Sequence, residues 1–331
     1  MKVLITGATG FTGKALVRRM LDAGHRVVGL DHQEGHKTAE LRDWGAELVL
    51  GSVTDRAIVR RCMAGVDIVH HVAAAFRELS VPRSHYHEVN VEGTRIVLEE
   101  ALAAGARKFI YCSTCGVHGN VAHPPAGEDA PIRPADYYQQ TKYDAEPIVT
   151  GFVDRGLPTT ILRPAAIFGP GDPGRFYLIF RQLARGWFPM LGNGQVLYHS
   201  LYIDNFLDAF ELAMADGVGV GQAYLIADER PVTLEDLVRR AAAAMGVEPR
   251  FRRLPVWPVV LAGHVVETLC RPFGIEPPIH PRRVDWYRQT RAFRIDKARR
   301  ELGYEPKVSL DEGLRRSCEW YRREGLLPDA A

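Results

Sequence analysis

The chain has 331 residues, 46% hydrophobic and 25% charged, enough for a sizeable soluble core and for a large nucleotide-binding domain with a smaller second lobe. Its 42 basic and 40 acidic residues leave a net charge of +2, without the concentrated basic surface that a nucleic-acid partner needs. Five cysteines, odd in number and scattered, argue against a disulfide framework and for a reducing compartment. No secretory signal pattern precedes the first strand, and the most apolar stretch, Trp257–Leu269, contains Pro258, Gly263, His264 and Glu267. It is too short and too polar to span a bilayer, so a cytoplasmic protein is expected.

Short apolar runs at Val3–Thr6, Arg26–Leu30, Glu47–Leu50, Asp67–His71 and Lys108–Cys112 read as strands. Amphipathic segments such as Lys14–Ala23, Ala57–Ala64, Glu92–Ala104 and Tyr138–Phe152 lie between or after them, with Gly24 and Gly105 at helix-stop positions. Strands alternating with helices predict a parallel sheet covered on both faces. Weaker strand signals follow at Thr159–Leu162 and Ala223–Ile226. Pro and Gly are dense over 164–194 and 249–281, which suits a loop-rich lid or substrate lobe. The expected fold is α/β: a Rossmann doubly wound parallel sheet over residues 1–165, with a return near 196–227. A smaller C-terminal α/β substrate lobe is expected from 166–195 and 228–331.

The strongest local pattern is Thr6-Gly7-Ala8-Thr9-Gly10-Phe11-Thr12-Gly13, placed after a strand and opening a helix. Glycines there permit a tight turn and close approach to a pyrophosphate, whose charge meets the helix N-terminus. The next strand runs into Asp31, eighteen residues past Gly13 by sequence number. A carboxylate at that point accepts from the adenosine ribose hydroxyls and repels the extra phosphate of NADP, so NAD is expected. His32 and Lys37 nearby would soften that discrimination. A second pattern is Tyr138-x-x-x-Lys142, which sets both side chains on one helix face. An ammonium near a phenol favours the phenolate and tunes it for proton exchange with an alcohol or carbonyl oxygen. The strand Lys108–Cys112 leads into Ser113-Thr114, whose hydroxyls can donate to the same oxygen.

In these features the chain resembles the extended short-chain dehydrogenase/reductases, the group that includes nucleotide-sugar epimerases and 3-beta-hydroxysteroid dehydrogenases. The matching pieces are Thr6–Gly13, His70–Ala74, Asn90–Thr94, Phe109–Gly119, Tyr138–Lys142, Leu162–Asp172, Tyr202–Asn205 and Lys297–Pro306. The resemblance implies catalysis by Thr114, Tyr138 as acid/base, and Lys142 on the nicotinamide ribose. It implies a cofactor cleft formed by Gly7, Thr9, Gly10, Phe11, Thr12, Asp31, Ser52, Val53, Ala73, Ala74, Asn90, Ser113, Tyr138, Lys142, Pro164 and Ile167. Ser52 stands where the family usually has an Asp reaching the adenine amino group, which weakens that contact. The helices Glu92–Ala104 and Tyr138–Phe152 resemble those that build a four-helix dimer interface in the family, so a homodimer is expected.

Other features take quieter readings. Cys112 and Cys115 are expected to pack rather than bind metal or cycle disulfides, and adjacent His70 and His71 point to opposite faces of a strand. No metal is expected. The apolar residues Trp257, Val259, Val260, Leu261, Val265 and Val266 read as the core of the small lobe, with a cover over a hydrophobic substrate as the alternative. Seven arginines between Arg282 and Arg300, interleaved with Asp285, Asp296 and Glu301, read as a solvated, salt-bridged surface.

Two enzyme readings are open. One is a dehydrogenase/reductase acting on the secondary alcohol or ketone of a small or lipophilic substrate; the other is a nucleotide-sugar (UDP-hexose type) epimerase with tightly bound NAD. Nucleotide-sugar members place an Arg where this chain has Tyr198, and an Asn where it has Ala166. Losing an Arg–phosphate contact costs on the order of 1.5–3 kcal/mol, although Arg175, Arg282 or Arg283 could substitute. A dehydratase would carry an acid pair after Thr114, where Cys115 and Gly116 stand. A protein that binds NAD without turnover would lack the Tyr or Lys, and both are present.

Overall fold

The computed structural model describes residues 1–34, 38–76, 81–270 and 285–328. Among them, strands β1 (Lys2–Thr6), β2 (Arg26–Asp31), β3 (Glu47–Leu50), β4 (Ile68–His71), β5 (Lys108–Cys112) and β6 (Thr159–Pro164) join the later Gln222–Ile226 strand. The seven form one parallel sheet in which β2 and then β3 lie outward from β1 on one side, and β4, β5, β6 and Gln222–Ile226 on the other. The order therefore reverses between β1 and β4, and a ligand crevice is expected outside their carboxyl ends.

Strand alternation divides the core in two. On β1, Val3 and Ile5 enter one cluster with Leu16, Val17 and Met20, while Leu4 enters the other with Val59, Val97 and Val149. The first layer holds helix α1 (Phe11–Asp22) and the helix Ile203–Ala213; the second holds α3 (Arg56–Cys62), α5 (Gly93–Ala103) and α6 (Tyr137–Gly151), with α2 (Thr38–Asp43) and α4 (Arg83–His87) preceding in the chain. Leu16, Val17 and Met20 are fully buried, and each such side chain stabilises the fold by about 1.5–3 kcal/mol. Gly24, at φ +77°, and Gly105, at φ +73°, end α1 and α5 in the left-handed conformation anticipated for helix stops.

The regions dense in Pro and Gly hold more regular structure than expected. Residues 164–194 contain strand Ala166–Phe168, helix α7 (Arg175–Leu183) and strand Phe188–Leu191. Residues 249–270 contain strand Phe251–Leu254, paired in parallel with Phe188–Leu191, and the fifteen-residue helix Val256–Cys270. Pro258 reads as a helix breaker but sits in the first helical turn, where its missing N–H would be unpaired anyway. The expectation that Trp257–Val266 forms a lobe core is corrected in part. Trp257, Leu261 and Val265 are 69%, 57% and 51% exposed, whereas Val259, Val260 and Val266 are half-buried. The helix is apolar on nearly every side, so burying one face leaves another outside.

Candidate functional site

The Gly loop is packed so closely that only backbone fits. A Cβ on Gly7, which has φ +71°, would lie 2.8 Å from the Ala73 nitrogen, and one on Gly13 would lie 1.9 Å from the Gly7 carbonyl oxygen. Loop, α1 and the segment leaving β4 therefore interlock, with Phe11 and Thr12 opening the helix. Asp31, 8% exposed at the end of β2, accepts at Oδ2 from the Thr9 N–H (2.9 Å) and the Thr9 hydroxyl (2.8 Å). Its Oδ1 accepts from the His32 N–H at 2.8 Å. The carboxylate thus fixes the loop. Ser52 accepts from the Thr54 N–H (3.1 Å) and shares a hydrogen bond with the Thr54 hydroxyl (2.8 Å), capping its own turn. Val53 is buried against Gly93. Lys37, Arg282 and Arg283 lie outside the described residues.

Below the central crevice runs a chain of hydrogen bonds that sequence reasoning did not anticipate. The Thr94 hydroxyl donates to the Asn90 carbonyl (2.7 Å), so it accepts from His71 Nε2 (2.9 Å). His71 Nδ1 then accepts from the Thr6 hydroxyl (2.8 Å), which in turn accepts from the Ala73 N–H (3.1 Å). Burial holds the His71 ring neutral, lowered to about 3, with Lys142 adding to the effect. Asn90 lies in a single π-helical turn (Glu88–Glu92), a geometry that recurs at functional sites. Its Oδ1 accepts from the Ala75 N–H (2.8 Å), and its Nδ2 donates to the Ala75 carbonyl (3.2 Å) and the Thr141 hydroxyl (3.0 Å). Ala75, next to Ala74, is thereby tied to α6. Thr141 lies inside the Tyr-x-x-x-Lys spacing, which would have been the only signal for it.

Helix α6 starts where the sequence demands. Asp136 caps it by accepting from the Gln139 N–H (2.8 Å), and Gln139 Oε1 takes the Ala135 N–H (2.8 Å). Gln139 also packs on Gly116, leaving 3.0 Å to the position of a Cβ there. That contact joins α6 to the 3-10 turn Cys115–His118, which Thr114 caps by accepting from the Gly116 N–H (3.0 Å). With its oxygen so used, the Thr114 hydroxyl proton is free for a substrate oxygen. Tyr138, in the first turn of α6, is partly exposed and its ring lies 4.7 Å from that of Phe76.

One turn on, Lys142 is 1% exposed and its ammonium sits 4.2 Å over the Tyr111 ring with no hydrogen-bond partner. Burial pushes it down to about 8, against the opposing pull of Cys112 and Glu146. An orphaned buried cation beside a glycine-walled loop fits a dinucleotide whose ribose hydroxyls complete the ammonium's shell. A further turn on, Glu146 accepts from the Ser113 hydroxyl (2.6 Å) and from Arg163 Nε (3.0 Å) and Nη2 (2.5 Å). Arg163 Nη1 meets His118 Nε2 at 3.2 Å. This buried pair braces β5, β6 and α6 and lay beyond any local pattern.

Pro164 is buried at the end of β6, and Ile167 is half-buried in the next strand. Tyr198 is buried, its ring 6.0 Å from those of Phe176 and Trp286. Cys112 and Cys115 are buried free thiols pushed up to about 11 by desolvation, which suits packing and not reactivity. His70 meets Phe210 edge-on (5.2 Å) while His71 stacks on Tyr111 (5.9 Å), on opposite sides of the sheet. No cluster of metal-ligating groups occurs among the described residues. The arginine-rich tail is ion-paired at Arg299–Glu305 (3.2 Å), but Arg291 departs from a solvated surface, its Nε being buried without a partner.

The sequence pattern of the NAD dependent epimerase/dehydratase family matches residues 3–227. The chain belongs to that family. Within this NAD-dependent group it is an extended short-chain dehydrogenase/reductase. It is 32% identical to a 2-alkyl-3-oxoalkanoate reductase of Stenotrophomonas maltophilia, over 96% of this chain and 98% of that one. It is 30% identical to a 3-beta-hydroxysteroid dehydrogenase of Mycolicibacterium neoaurum, over 97% and 91%. Its fold matches the structure of a UDP-glucose 4-epimerase from Thermotoga maritima with UDP-glucose at a TM-score of 0.79, with 26% identity and coverage of 98% and 99%. No described helix is long and apolar enough to cross a membrane.

Proposed function

We propose that this family member is a dehydrogenase/reductase that interconverts a secondary alcohol and a ketone on a small or lipophilic substrate. NAD, when bound, carries the hydride. Tyr138 gives or takes the proton at the substrate oxygen, Thr114 donates a hydrogen bond to that oxygen, and Lys142 holds the ribose and stabilises the phenolate. The remaining cofactor contacts are assigned to Gly7, Thr9, Gly10, Phe11, Thr12, Asp31, Ser52, Val53, Ala73, Ala74, Asn90, Ser113, Pro164 and Ile167.

The observation that carries this reading over an epimerase is Tyr198. Where nucleotide-sugar members present an Arg, this chain buries a phenol among Phe176 and Trp286. The relatedness to an oxoalkanoate reductase and a hydroxysteroid dehydrogenase supports the same direction. The second reading, a UDP-hexose type epimerase, draws support from the likeness to the UDP-glucose epimerase fold.

The deciding experiment is thermal unfolding of the NAD-saturated protein with and without UDP, since a native-state ligand raises stability with its concentration over its Kd. No shift at millimolar UDP, with NADH formed from a secondary alcohol, supports the dehydrogenase; a clear upward shift puts the epimerase first. We further infer a cytoplasmic homodimer built on α5 and α6, a substrate lobe from 166–195 and 228–331, and no nucleic-acid partner. Sedimentation of the wild-type protein tests the dimer.

A further inference from the structure

We propose that the buried Glu146–Arg163 pair is a positioning device for Thr114, tethering the chain on both sides of its hydroxyl. This rests on the oxidoreductase reading above, in which Thr114 donates a hydrogen bond to the substrate oxygen.

Thr114 stands in extended backbone (φ −156°, ψ 143°) between β5 and the 3-10 turn Cys115–His118. Its side chain accepts from the Gly116 N–H (3.0 Å), a bond inside the same short segment that does not fix the hydroxyl relative to Tyr138. The segment is held from outside at its two ends. At the front, the Ser113 hydroxyl donates to Glu146 Oε1 (2.6 Å). At the back, His118 Nδ1 lies 3.1 Å from the Ala130 carbonyl, which only accepts, so Nδ1 carries the proton and Nε2 accepts from Arg163 Nη1 (3.2 Å). Burial, reinforced by Arg163, lowers His118 and keeps this ring neutral.

One ion pair joins the two tethers. Arg163 donates through Nε (3.0 Å) to Oε1 and through Nη2 (2.5 Å) to Oε2, a two-point contact in a fixed plane. Ser113, His118, Glu146 and Arg163 are all buried, so bulk water does not compete for these bonds. Tyr138, Lys142 and Glu146 are spaced by four residues along α6 and share one face of it. Gln139 of the same helix packs on Gly116, but its amide is taken by the Ala135 N–H and by Asp136. Backbone bonds from the Ser113 N–H to the Leu162 carbonyl (2.7 Å) and from the Arg133 N–H to the Val117 carbonyl (2.8 Å) tie the segment to a strand and a loop, not to α6. Glu146 is thus the polar link between the helix that carries the phenol and the segment that carries the hydroxyl. Stability alone would be served as well by apolar residues of similar volume. The charged pair adds direction: one carboxylate takes a hydroxyl and a guanidinium together, and that guanidinium keeps a further N–H for His118.

The test removes the pair without leaving a lone charge. Glu146→Leu combined with Arg163→Met is measured with Thr114 present and in Thr114→Ala, as NADH formation from a panel running from 2-octanol to a 3-beta-hydroxysteroid. With Thr114 present, kcat is expected to fall roughly 10–100-fold while KM and the NAD Kd stay within about twofold. In Thr114→Ala the same two substitutions cost less than about twofold more, because the hydroxyl they position is gone. His118→Phe keeps the ion pair, shows part of the kcat loss, and carries the comparison if the double variant does not fold. Amide hydrogen exchange supplies a readout that needs no turnover. Peptides covering 113–119 should exchange at least roughly tenfold faster in the variants, while peptides from α1 keep wild-type rates. Equal kcat losses with and without Thr114, a loss confined to KM or NAD affinity, or unchanged exchange over 113–119 overturns the positioning role. If wild type forms no NADH from any alcohol of the panel, the oxidoreductase reading falls. The exchange rates then decide the tether alone: faster exchange sustains it and unchanged exchange sinks it.

Discussion

Around the Gly loop and the segment leaving β4, Asp31 takes two hydrogen bonds from Thr9, Asn90 ties Ala75 to Thr141, and His71 is satisfied at both ring nitrogens. Around Tyr198, Arg291 Nε and Trp286 Nε1 are buried with no partner. One region has its polar groups paired, and the other holds donors without partners. Lys142, also unpartnered, stands where the two meet. A common cofactor chemistry can be preassembled, while the part that selects a substrate must leave polar groups for it to complete.

The sharpest way to break this comparison is at Tyr138. Replacing it with Phe removes the acid/base without removing the ring, and turnover is expected to fall by roughly 10²–10⁴-fold with NAD affinity nearly unchanged. A turnover rate that survives would show that the proton moves elsewhere. The next effect concerns the brace behind the trio. Glu146→Gln leaves Arg163 as a buried, uncompensated cation, and chemical denaturation should show a loss of about 3–5 kcal/mol. A loss below about 1 kcal/mol would show that the pair is not a structural support.

A third prediction uses pH. Lys142 lies at about 8 in the fold against an ordinary 10.5, so between those values the unfolded chain binds more protons than the native one. The contribution of Lys142 to the stability of the NAD-free protein therefore rises with pH across that window, by roughly 3 kcal/mol at most, and Lys108, which burial also lowers to about 8, adds a rise over the same window. In urea midpoints measured from pH 7 to 10.5, wild type should rise more steeply than Lys142→Met, which keeps only the part due to Lys108. The smallest effect belongs to the outer helix. Trp257 is 69% exposed, so Trp257→Ser should shift stability by no more than about 0.5 kcal/mol. A larger loss would show that Trp257 is covered in solution.

Legibility in the sequence followed the same division. Gly7, Gly13 and Asp31 could be read because a tight turn, a crossing helix and a strand end each demand one residue type at a short spacing. Tyr138 and Lys142 could be read because one helical turn joins them. The Glu146–Arg163 pair spans seventeen residues by sequence number, the Asn90–Ala75 clamp depends on a π-helical turn, and Arg291 meets Tyr198 from the far end of the chain. None of these leaves a local trace. The helix Val256–Cys270 misled for another reason: uniform apolarity signals burial, but not which face is buried.

The strand order also sets a sequence of completion for a growing chain. A chain extended only to Pro164 already carries six of the seven sheet strands, with the Gly loop, Asp31, Asn90, Tyr138 and Lys142 in place. Leu16 and Met20 on α1 must still wait for Phe206 and Phe210, on the helix that covers that face. Because synthesis delivers the N-terminal part first, every residue of the dinucleotide crevice up to β6 exists before Arg175, Tyr198 and Arg291 leave the ribosome.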